Sequence, residues 1–239
     1  MTIGTLYLIP VPLGDIPAEA VLPPPVCQQV RQLGHFVAEH AKSARAFFKS
    51  IGMPRPIQEI SVRELNEHTR ANALPGLLDP LRQGHDVGLV SEAGCPAVAD
   101  PGADLVRLAQ QEGIRVVPLI GPSSMLLALM ASGLSGQRFA FHGYLPAKEE
   151  ERSKRLRELE TDSRRQGCTQ LFIETPYRNR QMLESLLKHC SPSTLLCLAS
   201  DLTLPSETVK TCSIAEWRKQ AELPDLERRP TVFLFLALK

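Results

Sequence analysis

The residues able to do chemistry in this chain collect in short loops rich in glycine, proline, serine and acids. They are Pro12-Leu13-Gly14-Asp15, Ser91-Glu92-Ala93-Gly94-Cys95-Pro96 with Asp100-Pro101-Gly102 close behind, Gly121-Pro122-Ser123-Ser124, and Thr175-Pro176-Tyr177-Arg178. Glycine lets backbone approach a ligand closely. Proline fixes the chain and lowers the entropy lost in forming a pocket. Ser123 also suits the N-cap of a following helix. Taken singly, each loop reads as an ordinary turn, because turns favour the same residues. Taken together, each directly after an apolar run, they read as the rim of a small-molecule cleft.

A second group of side chains carries charge. Glu39, His40, Lys42 and Arg45 follow one apolar run, and Glu174 and Arg178 flank the last loop. Glu39 and Glu174 are candidate general bases; Lys42, Arg45 and Arg178 are candidate partners for a phosphate or a developing alkoxide. For any one of them the simpler reading is a solvated charge or an ion pair. His40 reads either as a base near neutral pH or as a partly buried strand-end residue. Cys95 reads as a small packing residue and Trp217 as a packing residue of a late helix. The six cysteines include no Cys-x-x-Cys pair and no zinc spacing. They read as reduced thiols of a cytoplasmic protein, with no metal site.

The elements that must hold these loops follow from apolar periodicity. Thr5–Pro10, His35–Glu39, Asp86–Val90, Arg115–Leu119, Phe139–Phe141, Gln170–Glu174, Leu195–Ser200, Glu207–Cys212 and Thr231–Ala237 read as strands, with Ile57–Val62 a weak one. Val26–Leu33, Ala41–Ile51, Ala103–Gln111, Ser123–Ala131, Glu149–Gln166, Arg178–Cys190 and Ile214–Gln220 read as helices. His68–Gln83 reads as mostly helical with interruptions at Pro75 and Pro80, and Pro23–Pro25 as a loop. Glu149–Gln166 interleaves Arg152, Lys154, Arg155, Arg157, Arg164 and Arg165 with Glu149, Glu150, Glu151, Glu158 and Glu160, the pattern of a solvated helix with internal ion pairs. The alternation predicts an α/β protein with mainly parallel sheets, and the restart near residue 120 two domains, 1–120 and 121–239, with a cleft between them.

Composition narrows the classes. The chain has 239 residues, 43% hydrophobic and 22% charged, in the range of a globular protein. A net charge of +1 provides no overall field for nucleic acid, and 5% aromatics gives no extended base-stacking surface. Met1 to Pro10 lacks the basic and apolar regions of a signal peptide, and no apolar run reaches the roughly 20 residues that span a bilayer, so no membrane partner is expected. The dinucleotide Gly-x-Gly-x-x-Gly, the acidic-Gly-x-Gly methyltransferase loop, Walker A, His-Glu-x-x-His and Gly-x-Ser-x-Gly are all missing.

Thr5–Asp15 (TLYLIPVPLGD), Val87–Gly102 (VGLVSEAGCPAVADPG), Val116–Ser124 (VVPLIGPSS), Ala131–Leu134 (ASGL) and Phe139–Lys148 (FAFHGYLPAK) resemble the tetrapyrrole-methylase superfamily. Within it the chain is similar to the small-subunit ribosomal RNA cytidine 2′-O-methyltransferases. That branch carries Ser-Asp-Ala-Gly-Thr-Pro followed by Ser-Asp-Pro-Gly, a Pro-Gly-Pro-Ser turn and Gly-Phe-Leu-Pro-Ala-Lys. Ile173–Arg178 (IETPYR) is similar to its Tyr-Glu-Ser-Pro-His-Arg, and Ala199–Thr203 (ASDLT) to its Ala-Arg-Glu-Leu-Thr. The resemblance runs in order from about residue 4 to about residue 237.

The resemblance implies a two-domain methyltransferase, commonly a homodimer, with S-adenosylmethionine in the interdomain cleft. Carried over by position, the cofactor meets Pro12, Gly14, Ser91, Glu92, Ala93 and Gly94, with Asp100 supporting their loop. Ser123, Ser124, Ile173, Glu174 and Ala199 complete the pocket, and Glu39, Arg45 and Arg178 are the catalytic candidates. The implied acceptor is a ribosomal RNA ribose. The alternatives are a tetrapyrrole or other small-molecule acceptor, or a non-catalytic module that keeps the cofactor. The chain departs from the branch pattern Ala-Glu-Asp-Thr-Arg at His40, Ala41 and Lys42, keeping Glu39 and the later Arg45. Milder departures are Glu92 for Asp, Cys95 for Thr, Tyr177 for His and Ser200-Asp201 for Arg-Glu. The chain also ends at Lys239 without the tail that many RNA-modifying members carry.

Overall fold

Strand β1 (Leu6–Ile9) opens a sheet whose side chains alternate between two helical layers. The computed structural model describes residues 2–238. These fall into two compact units, Met1–Ser123 and Ser124–Lys239. In the first, β1 is followed by α1 (Pro24–Gln32), β2 (His35–Ala38), α2 (Ala41–Ser50), β3 (Ser61–Glu64), α3 (Leu74–Leu77), α4 (Asp79–Arg82), β4 (Val87–Val90), α5 (Gly102–Gln111) and β5 (Val116–Pro118). The strand order is β3-β2-β4-β1-β5, and every pairing is parallel.

The two-residue period of the strands decides which helix packs where. Ile9, Phe36, Ala38 and Val90 share one core with Val30 of α1 and Phe47 and Phe48 of α2. Leu6, Val37, Val87 and Leu89 share the other with Leu77, Leu78 and Leu81 and with Leu105 and Ala109 of α5. Thus the chain leaving β1 turns towards one face and the chain leaving β4 towards the other. Because β1 and β4 are neighbours, their carboxyl ends open a crevice, the usual ligand position in such sheets.

Three expectations in this unit are corrected. Pro24 and Pro25 are not loop but the first turn of α1, where helix N–H groups have no intrahelical acceptor and proline costs nothing. Ile57–Glu59 is a 3₁₀ turn after Pro56, and the strand pairs only from Ser61, so the weak strand is displaced towards the carboxyl side. The segment 68–83 is not one interrupted helix. A 3₁₀ turn at Ala71–Ala73 leads into two four-residue helices, each with a proline in its first turn.

The second unit runs α6 (Ser124–Ser132), β6 (Phe139–Tyr144), α7 (Glu149–Gln166), β7 (Thr169–Ile173), α8 (Asn179–His189), β8 (Leu195–Ser200), β9 (Thr208–Ser213), α9 (Ile214–Arg218) and β10 (Thr231–Leu236). Its sheet order is β6-β7-β10-β8-β9. Only β6–β7 is parallel; β7–β10, β10–β8 and β8–β9 are antiparallel. The expectation of a mainly parallel sheet therefore holds for the first unit and is corrected for the second. The short 201–207 link between β8 and β9 can only return the chain antiparallel, and β10 inserts at the centre against both neighbours. Phe172 stacks on Phe233 at 5.6 Å in its core, and the buried Trp217 donates its indole N–H to Leu196 O at 2.9 Å.

Helix α7 is not wholly solvated. Arg152 is 1% exposed, donating Nε to Ser185 Oγ (2.9 Å) and Nη1 to Ala147 O (2.7 Å). Glu160, 6% exposed, accepts from Ser191 N (2.7 Å) and from the hydroxyls of Ser191 and Thr194. The remaining charges include the surface pairs Arg155–Glu158 and Arg165–Asp162. Among the described residues no helix is long and apolar enough to cross a membrane, and no cluster of side chains could hold a metal ion.

Candidate active site

The loop after β1 and the loop after β4 are tied into one rim. Val11 N donates to Gly94 O (3.0 Å) and Gly94 N to Val11 O (3.1 Å), a two-bond bridge across the crevice. Ser91, 9% exposed, turns its hydroxyl back to Gly94 O at 3.1 Å and so folds residues 91–94 tightly. Gly94 has φ +70°, and a Cβ there would stand 3.1 Å from Leu13 Cδ2 and 3.3 Å from Pro122 O. Glycine is favoured at this point by both conformation and space.

The rest of the β4 loop is strained and braced. Ala97 and Ala99 take positive φ, 64° and 59°. Asp100 Oδ1 accepts from Ala97 N and Gly102 N, both at 2.8 Å, and holds the loop against the start of α5. One oxygen thus forms the turn before Pro101 and ties it to the start of α5. Burial raises the Asp100 carboxyl above the ordinary range, while its two N–H donors pull the other way.

The β2 exit joins the same rim. Ser43 Oγ donates to Glu92 Oε2 at 2.8 Å, and His40 Nδ1 lies 3.5 Å from Glu92 Oε1. Ala41 N donates to Glu64 Oε1, which anchors the start of α2 to the β3 exit. Glu39 is half-buried beside them. Burial, and then the Glu92 charge, raise its carboxyl above the ordinary 4.5. A cavity of about 210 Å³ lies between these loops and α2, lined by Pro12, Gly14, Asp15, Ser43, Ser91 and Glu92 among others. Its polar lining is carboxylate and hydroxyl, with no lysine or arginine.

Pro12, Gly14, Ser91, Glu92, Ala93, Gly94 and Asp100 are therefore brought together, with Glu39 close to Glu92. Arg45 is exposed on α2 and does not line the cavity. Ser123 closes the β5 loop beside Pro122, whose carbonyl lies 3.4 Å from Cys95 Sγ. Ser43 was not singled out by sequence reasoning. Its contact with Glu92 spans 49 residues and has no local signal.

The second unit holds its own set. Ser124 begins α6. Ile173 and Ala199 pair with Val232 from either side, so the three stand in one row across β7, β10 and β8. Val232 is a further member of that row which sequence reasoning missed. Just past β7, Glu174 has a buried side chain whose Oε1 accepts from Thr175 N (2.7 Å) and from Arg178 Nε (3.0 Å) and Nη2 (2.6 Å). Arg178 is thereby fixed while part of its guanidinium stays exposed.

The family model for tetrapyrrole (corrin/porphyrin) methylases matches residues 18–217. A protein of Pseudomonas aeruginosa named ribosomal RNA small subunit methyltransferase I is 32% identical over 216 residues, 90% of this chain and 72% of that protein. The protein of the same name from Xylella fastidiosa is 33% identical over 228 residues, 95% of this chain and 79% of its own. Among solved structures, the methyltransferase CobJ superposes with a TM-score of 0.64 at 20% identity, covering 99% of this chain and 95% of CobJ. Cobalt precorrin-4 methyltransferase CbiF, described as a cobalamin biosynthetic enzyme, gives 0.61 at 16% identity, covering 97% and 94%. Those two likenesses bear on the fold alone.

Proposed function

Because the chain belongs to the tetrapyrrole (corrin/porphyrin) methylase family and is a methyltransferase, we propose that it moves a methyl group from S-adenosylmethionine to a ribose 2′-hydroxyl of small-subunit ribosomal RNA. The observation that carries the acceptor is the roughly one-third identity, along nine-tenths of the chain, to proteins named for that RNA. On this reading the protein works in the cytoplasm as a homodimer, which light scattering at twice the chain mass would show.

The rim fits the cofactor by its chemistry. The lining carries backbone groups at the tight 91–94 turn, and Glu92 and Asp15 suit an ammonium group and ribose hydroxyls. Pro12, Gly14 and the 91–94 loop are the residues that would hold it, with Asp100 as their brace. When bound, the sulfonium supplies a methyl group already activated for displacement.

The chain's own residues then have two tasks. Alignment of the acceptor accounts for most of the rate. Glu39 takes the proton of the 2′-hydroxyl as the oxygen is methylated; a carboxyl raised by burial and by Glu92 is a stronger base than an exposed one. Arg178, fixed by Glu174, and the exposed Arg45 offer positive charge to the RNA phosphates. The Arg178 guanidinium reaches its position already ordered, which lowers the entropy cost of contact.

The test is calorimetry with S-adenosylmethionine and S-adenosylhomocysteine, followed by radiolabelled methyl transfer to small-subunit RNA from cells lacking the protein. Micromolar binding and label in RNA ribose support the reading. Label in a tetrapyrrole, or binding without transfer to any acceptor, replaces the RNA assignment with one of the two alternatives.

A further inference from the structure

The opposite end of the first sheet, where β2 and β4 begin, carries a second group of ionisable side chains far along the strands from the loops just described. His35 opens β2 and His85 precedes β4, and their rings lie 5.0 Å apart, tilted by 37°. Beside them is a cavity of about 380 Å³, lined by Gln29 and Gln32 of α1, Arg55, Asp86 and both histidines. The Arg55 guanidinium lies close against Gly34; a Cβ at that position would stand 2.7 Å from Arg55 Nη1. Glycine there leaves room for the fork. Arg31 and Arg63 each use an arm on a backbone carbonyl, whereas Arg55 has no hydrogen bond or ion pair among the described residues. Asp86, the carboxylate of the lining, has an oxygen occupied by Thr5 N at 2.7 Å.

The lining is thus rich in donors, with an unpaired guanidinium, two imidazoles and two carboxamides against one carboxylate that has an oxygen engaged. We propose that this cavity is a phosphate-binding site, separate from the methyl-transfer rim, in which Arg55 takes the phosphate oxygens with His35 and His85 as further donors. Guanidinium forks match phosphate geometry. Two imidazoles alone make an incomplete metal site, and no third ligand stands near enough to form one.

The electrostatics agree with the geometry. Burial holds His35 below the usual histidine range, and the charges of His85, Arg63 and Arg55 press it lower still. Asp86 is the opposing carboxylate on the same side. A bound phosphate anion opposes that field, so His35 takes up a proton as the phosphate enters. By linkage, the His35 contribution to binding grows as the pH falls through the histidine range. The phosphate can belong to an RNA backbone or to a free small anion, and the two are separable by experiment.

The experiment follows the histidine ring signals of the full chain by NMR from pH 5 to pH 8 at constant ionic strength. Inorganic phosphate is added in one series and a short oligoribonucleotide in another. Phosphate binding moves the His35 titration upward by about one unit, saturably, because an opposite charge within a few ångströms has that effect. Arg55→Ala abolishes the shift, and His85→Gln diminishes it. Arg55 is exposed and unpaired, so its loss leaves the backbone spectrum intact. A response to both ligands, or to either alone, supports the site and assigns its source. No shift with either ligand, or a shift that survives Arg55→Ala, overturns the proposal. Neither result depends on methyl transfer, so it stands or falls apart from the reading of the other rim.

Discussion

Glu39 and Gly94 show how differently two neighbouring residues serve one rim. Glu39 has a carboxyl raised by burial first and by Glu92 second. A group whose folded pKa is raised stabilises the fold most when protonated, and that contribution is lost as the pH rises through the folded value. Glu39→Gln removes this cost at neutral pH. The variant should melt about 1 °C higher than the parent at pH 7.5, a small gain because the group is partly solvated, and no higher near pH 4. The same change should lower methyl transfer by about 100-fold while leaving cofactor affinity within about two-fold. In the parent the rate should fall as the pH drops through a value above 4.5. A variant that keeps its rate excludes Glu39 as the base. Gly94 acts through space instead. Gly94→Ala brings a Cβ to 3.1 Å from Leu13 at φ +70°, costing about 1 kcal/mol and weakening S-adenosylmethionine about ten-fold by calorimetry. Unchanged affinity would remove this loop from the cofactor site.

At the scale of elements, what could be read from sequence divides along local and long-range signals. The bounds of α7 coincide with the expected Glu149–Gln166, because acids in its first turn, bases in its last and Gly167 at φ +61° are all local. The broken stretch Leu74–Arg82 was harder, since a proline inside a helical pattern marks either a kink or a new first turn, and only packing of Leu77, Leu78 and Leu81 decides between them. The direction of β10 and the burial of Arg152 and Glu160 depend on partners far along the chain. The site divides likewise: the loops 12–15 and 91–102 stand out by composition, whereas the Ser43–Glu92 and His40–Glu92 contacts do not. Two braces can be tested here. Asp100→Ala frees the N–H groups of Ala97 and Gly102 in a loop with two alanines at positive φ, so it should cost about 2 kcal/mol and weaken the cofactor. Glu160→Ala should cost about 3 kcal/mol in urea unfolding, because it strands Ser191 N and two hydroxyls in the core, yet leave cofactor affinity unchanged. If the two variants behave alike towards the cofactor, Asp100 is not a brace specific to the rim.

For the molecule as a whole, charge sets the terms on which it can hold RNA. The net charge is +1, so no global field draws a polyanion to the surface. Half of the basic residues of α7 are not a free reserve, since Arg152 is buried and Arg155 and Arg165 are paired with neighbouring acids. The cations assigned to phosphate at the rim elements are Arg45, Lys42 and the exposed part of Arg178. The number of phosphates neutralised is then about two to four. The logarithm of the RNA binding constant should fall with the logarithm of salt with a slope of about −2 to −4. Between 50 and 200 mM salt that is a loss of roughly ten- to a few-hundred-fold. Arg45→Ala should reduce the slope by about one. A slope near −8, unmoved by Arg45→Ala, would mean a broad basic surface carries the RNA. In that case cations beyond the rim, the exposed Lys154 of α7 among them, would share the contact.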